Sequence, residues 1–325
     1  MNRRDKSSYP IVLEDNFCRI HVVVAQHHTV RFGTSSWAYE GWQGLVYHRP
    51  YAKHRFSQDT LAEYASYAVD GSPLFRTVGI DHSFYRPAGV KQLAHYAEQV
   101  PDDFRFCSKV WEQITIPAYA NLPRYGVKAG QPNQRFLDAG ACRELVIEPA
   151  QEGLGEKLGP FIFEFQRWGI EPAAFLDQLD RFLGQLPSGA PYAIEVRNPA
   201  LLGQRYREIL RAHGVAHVYN HWTAMPPLDE QHRALDQTFT APHVVLRLLT
   251  PLGLKYEKAV ERYKPYDRIV QPQPRMRQDT VSLVKQAAAE GKSAYVLVNN
   301  RSEGCSPLTV KALVEAFNAM PSPPL

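Results

Sequence analysis

The chain has 325 residues, of which 44% are hydrophobic and 22% are charged, and its formal net charge is +4. This balance is typical of a globular protein, and a chain of this length can bury a sizeable core without disulfides or a structural metal. No stretch approaches the 18 apolar residues that cross a bilayer, so the sequence excludes a transmembrane protein, and the small net charge does not indicate one class of partner.

The cysteines and the amino terminus indicate a cytoplasmic protein. Four cysteines lie far apart and form no C-x-x-C pair: Cys18, Cys107, Cys142 and Cys305. This spacing argues against a zinc ribbon or a redox pair and is typical of reduced thiols. The apolar run at 20–25 is too short for the core of a signal peptide and contains His21.

Short apolar runs recur in chain order, and each ends in polar or aromatic residues: 30–37, 75–84, 104–112, 160–166, 192–198, 215–221, 243–250 and 293–300. Helical periodicity separates several of them, at 60–70, 90–99, 171–186, 201–213 and 278–290. Strands that alternate with helices imply a parallel sheet with right-handed crossovers. The sequence therefore predicts an α/β fold, a single-domain (β/α)8 TIM-type barrel over residues 30–318, with an extension at 1–29 and a tail at 319–325. No G-x-G-x-x-G follows the first run, which disfavours a dinucleotide-binding sheet.

Three predicted loops, at 113–134, 222–239 and 251–275, are longer than a simple connection needs. All three follow a strand, so in a barrel they gather on the face where binding sites are built. We expect them to help enclose a substrate.

Strand alternation places several charged side chains inside the barrel near the carboxyl ends of the strands. In 160–166 the phenylalanines share one parity and face the helices, so Glu164 points inward; by the same alternation Glu195 and Arg197 point inward. Lys109 falls at the same height, and Arg247 interrupts an otherwise apolar strand. A charge in such a run is costly unless it is paired or reaches a pocket.

Two interpretations of this cluster remain open. It is either a buried ion-pair network that only stabilises the barrel, or a catalytic centre, since barrel enzymes keep their catalytic groups at strand ends. In the second case Glu195, Glu164 and Lys109 are the predicted catalytic residues. The predicted substrate-binding residues are Arg197, Arg247, Trp37, Tyr39, Trp42, Asp81, Tyr85, Asn220, Asn299 and Asn300.

The sequence predicts no cofactor, and its indication of a metal site is weak. His82, His217 and His221, with Asp81 or Glu195, are the residues that offer divalent-metal ligands, but no H-x-H or H-E-x-x-H spacing appears. There is also no G-x-S-x-G motif and no phosphate-binding P-loop.

The stretch Gly33-Thr34-Ser35-Ser36-Trp37, followed by Tyr39 and Trp42, resembles the family called domain of unknown function 72, also known as YecE-like proteins. The resemblance continues through 83–87, 104–109, 195–199 and 298–300 and spans roughly residues 30 to 318. It implies a TIM-type barrel but no activity, because the family lacks an established reaction. Members usually carry a glutamate in a Val-Glu-Ile-Asn pattern in the second strand, whereas this chain has Val78-Gly79-Ile80-Asp81. A mechanism that depends on that glutamate therefore does not transfer to this chain.

The leading functional hypothesis is an enzyme, a hydrolase or an isomerase, that acts on a small polar or anionic molecule such as a sugar or sugar phosphate. Arg197, Arg247 and Lys109 would bind the negative group, because a planar guanidinium suits carboxylate or phosphate. Glu195 or Glu164 would act as general base or acid. A pair of carboxylates also suits glycoside hydrolysis, and sugar-phosphate isomerisation fits equally.

Two alternatives belong to other classes. Basic loops at 262–264 and 275–277 with nearby tyrosines suit a nucleic-acid-binding or nucleic-acid-processing protein. The second alternative is a barrel that binds a ligand without catalysis. The sequence predicts no contact with a membrane. It does not indicate the oligomeric state.

Overall fold

The structure is a computed structural model, and it describes residues 29–319. Eight parallel strands form the barrel: β1 (Val30–Thr34), β2 (Thr77–Ile80), β3 (Arg105–Lys109), β4 (Leu158–Phe165), β5 (Tyr192–Val196), β6 (Ala216–His221), β7 (His243–Leu248) and β8 (Ser293–Val298). They close in the order β1-β8-β7-β6-β5-β4-β3-β2. This confirms the predicted (β/α)8 barrel. The proposed extension 1–29 and tail 319–325, including Cys18, lie outside the described residues except for positions 29 and 319.

One helix follows each strand: α1 (Leu61–Ser66), α2 (Val90–Glu98), α3 (Glu148–Leu154), α4 (Pro172–Gln185), α5 (Gln204–Ala212), α6 (Leu228–Ala234), α7 (Pro274–Ala289) and α8 (Ser306–Ala319). A short helix (Ala139–Cys142) and a π-helical segment (Arg143–Ile147) lead directly into α3. The α4 helix begins where the Glu171 carboxylate accepts hydrogen bonds from the backbone N–H groups of Ala173 and Ala174. Such a cap satisfies donors that have no partner within the helix.

The core has two layers, one inside the barrel and one between the barrel and its helices. Inside lie small and branched residues, among them Ile162, Val218 and Val245. Outside, the ring of Phe163 contacts Phe182 of α4 at 5.6 Å between centroids. This confirms that the phenylalanines of β4 face the helices, and it leaves the inward positions of the strand to Ile162 and, at its carboxyl end, Glu164.

Several predicted boundaries were wrong. Most strands end before the polar residues at the end of the predicted run; β2, for example, ends at Ile80, and Asp81–Phe84 forms a 3-10 turn, whereas β6 ends at His221 as predicted. The predicted helix at 60–70 is shorter, because a hairpin of Ala68–Val69 with Ser72–Pro73 follows it. Two predicted loops contain helices: α6 lies within 222–239, and Tyr256–Tyr263 lies within 251–275. Both helices are short, so their sequence period is weak.

No helix in the described part of the chain is long and apolar enough to cross a membrane.

Candidate functional site

Glu164 occupies the centre of the carboxyl-end cluster. One of its oxygens, Oε2, lies 2.8 Å from Nζ of Lys109 and accepts hydrogen bonds from Nη2 of Arg197 at 3.0 Å and from Nη1 of Arg247 at 2.9 Å. Its other oxygen accepts a hydrogen bond of 2.6 Å from Nε2 of Gln166. Burial alone would raise the pKa of Glu164, but the three cationic side chains outweigh burial and hold that pKa well below its usual range. Glu164 is therefore an anion at neutral pH.

Glu195 is the second carboxylate of the cluster, and it is fully buried. Its Oε2 accepts a short hydrogen bond from Nη1 of Arg247. Nη2 of Arg197 lies 2.5 Å from Oε1, but its N–H bonds do not point at this oxygen, which receives no hydrogen bond from the described residues. Glu195 pairs with the two arginines and not with Lys109.

Arg247 ties the cluster together. Besides its bonds to both glutamates, its Nη2 reaches to 3.5 Å from Oδ1 of Asp81. Asp81 follows β2, so the Arg247 side chain connects the carboxyl end of β7 with that of β2 across the inside of the barrel. Burial would lower the pKa of Arg247, but Glu195, Glu164 and Asp81 together raise it. The guanidinium therefore stays charged although the residue is buried.

Lys109 and Asp81 form the more open edge of the cluster. The side chain of Lys109 is 13% exposed and that of Asp81 is 36% exposed, whereas those of Glu164, Arg197 and Arg247 are 6% or less. Nζ of Lys109 also lies 3.8 Å from the centroid of the Phe84 ring, within the range of a cation–π contact. A ligand that enters from the loops meets Lys109 and Asp81 before the arginines.

Asn220 and Trp222 border the same cluster. Nδ2 of the buried Asn220 donates to the backbone oxygens of Val196 and Val218, at 3.1 and 3.3 Å, while its Oδ1 has no hydrogen-bond partner within residues 29–319. The guanidinium of Arg197 stacks on the Trp222 ring at 4.6 Å. A buried amide oxygen without a donor is uncommon, because it forgoes a hydrogen bond that water would supply.

The aromatic residues predicted to bind substrate have different environments. Trp37 is buried, and its indole N–H donates to the backbone oxygen of Ser57 at 2.8 Å. Trp42 is also buried, and its N–H donates to Oδ1 of Asn300 at 3.2 Å. Tyr39 donates through its hydroxyl to the backbone oxygen of Pro265, and Tyr85 is 60% exposed. Trp37 and Trp42 thus pack the loop after β1, and their contact with a ligand stays a prediction.

A cavity of about 170 Å³ lies at the carboxyl ends of β1 and β8. Its wall includes Tyr39, Trp42, Asn299 and Asn300 from the predicted set, and it adds Ser35, Tyr266 and Arg301, which the prediction did not assign to binding. The sequence signal for Arg301 was present, since it follows the Asn299-Asn300 pair directly after β8. Asn299 and Asn300 also stabilise the local turn: Oδ1 of Asn299 accepts from the backbone N–H of Arg301, and Oδ1 of Asn300 accepts from Ser306.

The histidines considered as metal ligands do not converge. His217 faces the helices, where its Nδ1 lies 3.1 Å from the Tyr206 hydroxyl and its Nε2 lies 3.2 Å from Oε1 of Gln231. Burial lowers the pKa of His217, and also that of His221, to about 4. Within residues 29–319 no group of three or more His, Cys, Asp or Glu side chains is placed to hold a metal ion.

An ion pair stabilises the loop after β3, and the arginine of this pair contacts Tyr85. Nη2 of Arg124 donates to Oε2 of the buried Glu112 at 3.0 Å, and the hydroxyl of Tyr125 donates to the same oxygen at 2.8 Å. The Arg124 guanidinium lies 5.2 Å from the ring of Tyr85. The predicted loop 113–134 therefore reaches the exposed ring that follows β2.

The two arginines of the predicted basic loop 275–277 have acidic partners. Arg275 donates to Asp229 and Glu230 at 2.9 and 3.0 Å, and Arg277 forms a bidentate pair with the buried Glu303. These pairs reduce the positive charge that this surface offers to a phosphate backbone.

Gly79, which stands where the resembling family usually has glutamate, is in close contact with β1. A Cβ atom at this position would lie 2.5 Å from the backbone oxygen of Ser35. Such a distance is far below van der Waals contact, so β1 and β2 approach each other in a way that only glycine permits.

Comparison with known proteins agrees with this architecture. The family model described as "Protein of unknown function DUF72" matches residues 31–324. A solved structure of a DUF72 family protein from Enterococcus faecalis is 18% identical, with a TM-score of 0.63, and the match covers 91% of this chain and 98% of that chain. One from Thermotoga maritima is also 18% identical, with a TM-score of 0.58, and the match covers 89% of this chain and 100% of that chain. At this identity the likeness shows the fold alone. No match was found among curated proteins.

Proposed function

This chain belongs to the DUF72 family of proteins of unknown function, and we propose that it is an enzyme acting on a small anionic molecule of sugar or sugar-phosphate type. The charge of the inner cluster carries the proposal. Three cations, Lys109, Arg197 and Arg247, face two buried carboxylates, Glu164 and Glu195, which leaves one surplus positive charge. The carboxylate that balances it, Asp81, lies at the exposed edge. An anionic ligand that displaces Asp81 from Arg247 balances this positive charge in its place.

In this proposal Lys109 is the side chain that acts on the substrate. Its ammonium group lies at the more open edge of the cluster, and it binds an anionic oxygen or donates a proton to an oxygen in the transition state. The buried carboxylate of Glu164 holds the ammonium group of Lys109 in position. Because the pKa of Glu164 is held low, this residue serves as an anion or a weak base and not as a proton donor. Hydrolysis and isomerisation both require such proton transfer to oxygen.

The surroundings of Lys109 and Arg197 suit a sugar-like molecule. The Phe84 ring lies against Nζ of Lys109, and the Trp222 ring lies against Arg197. Aromatic faces beside hydrogen-bonding groups bind the C–H faces and hydroxyls of sugars. Asn220 offers an amide oxygen without a donor beside this cluster.

The proposal includes a cytoplasmic location and a reaction that needs no cofactor. The cysteines within residues 29–319, which are Cys107, Cys142 and Cys305, are free and buried. Burial raises the pKa of the Cys107 thiol to about 12, which suits an unreactive core residue.

A ligand screen with matched variants tests the proposal. Glucose 6-phosphate, ribose 5-phosphate and glycerol 3-phosphate would be titrated against their unphosphorylated counterparts, with the melting temperature and isothermal calorimetry as readouts. We expect a phosphorylated compound to bind the wild type and the Lys91→Met control, in which an exposed lysine of α2 is replaced. Lys109→Met should weaken that binding by about tenfold or more, as the loss of a charge-assisted hydrogen bond implies.

Two results would overturn the proposal. One is equal binding by the wild type and Lys109→Met. The other is a lack of binding by any small anion together with oligonucleotide binding that weakens steeply with salt, which would instead support a nucleic-acid-binding protein.

A further inference from the structure

We propose that the cavity between the ends of β1 and β8 is a subsite for a phosphate group, and that Arg301 is its principal ligand. The inference deepens the proposed function, and it rests on that function for the identity of the rest of the substrate. The cavity is distinct from the Lys109–Glu164 cluster, because none of the residues of that cluster lines it.

The volume and chemistry of the cavity suit a tetrahedral anion. About 170 Å³ is roughly ten times the 10–15 Å³ that a single water needs, so the cavity has room for a phosphate group. None of the residues that line it is acidic. An anion inside it therefore meets no carboxylate from the wall, which separates this cavity from the carboxylate-rich cluster beside it.

Arg301 brings a positive charge to this cavity without an acidic partner among the described residues. Its Nε is buried and has no hydrogen-bond acceptor, and its guanidinium stacks on the ring of Tyr256 at 4.6 Å. Arg197 and Arg247, by contrast, are each bound to two glutamates. The guanidinium of Arg301 is hydrogen-bonded to the neutral hydroxyl of Tyr266. A partly buried guanidinium without a carboxylate partner favours an incoming anion, and its planar fork matches two phosphate oxygens.

Two neutral donors complete the subsite. Ser35 is 3% exposed, lines the cavity, and its hydroxyl has no hydrogen-bond partner among the described residues. The carboxamide oxygen of Asn299 accepts from the backbone N–H of Arg301, which leaves its NH₂ group available as a donor. A phosphate group supplies acceptors for the serine hydroxyl, the asparagine amide and the arginine at once.

The position of the subsite fits a substrate that extends over the cluster. Ser35 and Asn299 follow β1 and β8, which lie in the barrel order between β7, the strand of Arg247, and β2, the strand that precedes Asp81. A phosphate held by Arg301 therefore lies at the same end of the barrel as the Arg247–Asp81 contact. The remaining atoms of the molecule then extend across the barrel end toward Lys109.

Titration with inorganic phosphate tests the subsite directly, with ³¹P NMR and calorimetry as readouts. We expect the wild type and the control Arg211→Gln, which removes an exposed arginine from the outer helix α5, to bind phosphate equally. Arg301→Gln should weaken binding by about 10- to 100-fold, the range expected for hydrogen bonds to a charged group. Arg301→Lys should retain part of the phosphate binding, and Ser35→Ala should weaken phosphate binding by a smaller factor than Arg301→Gln. Lys109→Met should leave phosphate binding within about twofold of wild type. Melting temperatures of the variants show that each is folded.

The outcomes separate the two proposals. Phosphate binding that survives in folded Arg301→Gln and Arg301→Lys but is lost in Lys109→Met would overturn the subsite and support a phosphate site at the Lys109 cluster. An absence of phosphate binding in the wild type would also overturn the subsite. In that case Lys109-dependent binding of a carboxylated sugar would still support the proposed enzyme.

Discussion

Glu164 and Glu195 lie directly opposite each other on β4 and β5, and one nitrogen of Arg247 donates to a carboxylate oxygen of each. Like charges at paired positions of neighbouring strands repel each other. The barrel tolerates this pair because Arg247, from a third strand, lies between the two carboxylates and Arg197 approaches both. The carboxylates thus fix the positions of the cations around them, and the predictions below test this arrangement.

Arg247→Met should destabilise the protein strongly. The substitution leaves two buried carboxylates without their shared cation, and removing one partner of a buried ion pair typically costs about 3–5 kcal/mol. Urea unfolding at pH 7 measures the change. The control Arg275→Met breaks the ion pairs of an exposed side chain, which solvent screens, and should destabilise the protein much less. Equal effects of the two substitutions would contradict the assigned role of Arg247.

The stabilising effect of the Glu164 carboxylate should depend on pH. Its pKa is lower in the folded than in the unfolded protein, so its stabilising effect is complete above the unfolded value of about 4.3 and is lost as pH falls toward the folded value. The difference in unfolding free energy between wild type and Glu164→Gln should therefore shrink as pH falls below about 4.5. Urea unfolding from pH 6 to pH 3 measures it, and a constant difference would show that the charge of Glu164 is not stabilising.

Asp279→Asn should stabilise the protein at neutral pH. Burial and the neighbouring Asp229 raise the pKa of Asp279 to about 6. A carboxyl group whose pKa is raised on folding destabilises the folded state progressively as pH rises from the unfolded value toward about 6. We expect a gain of about 1–2 kcal/mol at pH 7 that disappears near pH 4. Thermal unfolding at the two pH values checks this, and a gain of equal size at both would have another cause.

Gly79→Ala should destabilise the barrel. The added Cβ would lie 2.5 Å from the backbone oxygen of Ser35, so β1 and β2 would have to separate, at a cost of about 1–3 kcal/mol. Gly89→Ala is the matched control, because nothing lies within 4 Å of its added Cβ and its φ is −80°. Equal melting temperatures for the two variants would show that the strands separate without cost and that a side chain fits at position 79.

Asn300→Ala should reduce stability even if the residue also contacts a ligand. Its Oδ1 accepts hydrogen bonds from Trp42 and from the backbone and hydroxyl of Ser306, and these donors would lose their partner at a cost of about 1–3 kcal/mol. Asn318→Ala, at an exposed position of α8, should change stability little. An Asn300→Ala protein as stable as wild type but defective in binding would indicate that the residue serves mainly the ligand.

Much of the fold followed from the sequence because its signals are local. The alternation of side chains in β4 and β5 correctly predicted that Glu164 and Glu195 face the interior while Phe163 faces α4. The short helix α6 was missed, since its seven residues lie in a polar segment with little periodicity. The polar residues after β2 were predicted as part of the strand, although Asp81–Phe84 forms a 3-10 turn.

The sequence by itself determined the barrel and the set of charges at its carboxyl end, because a period of two along each strand decides which side chains point inward. Only the tertiary structure decided how those charges pair. Lys109 binds Glu164 and not Glu195, and Arg247 reaches from β7 to Asp81 after β2. The tertiary structure also brings Arg301 and Ser35 together at one cavity. These relationships depend on closure of the barrel and on the stagger of its strands, which join residues far apart in the chain and leave no periodic signal in the sequence.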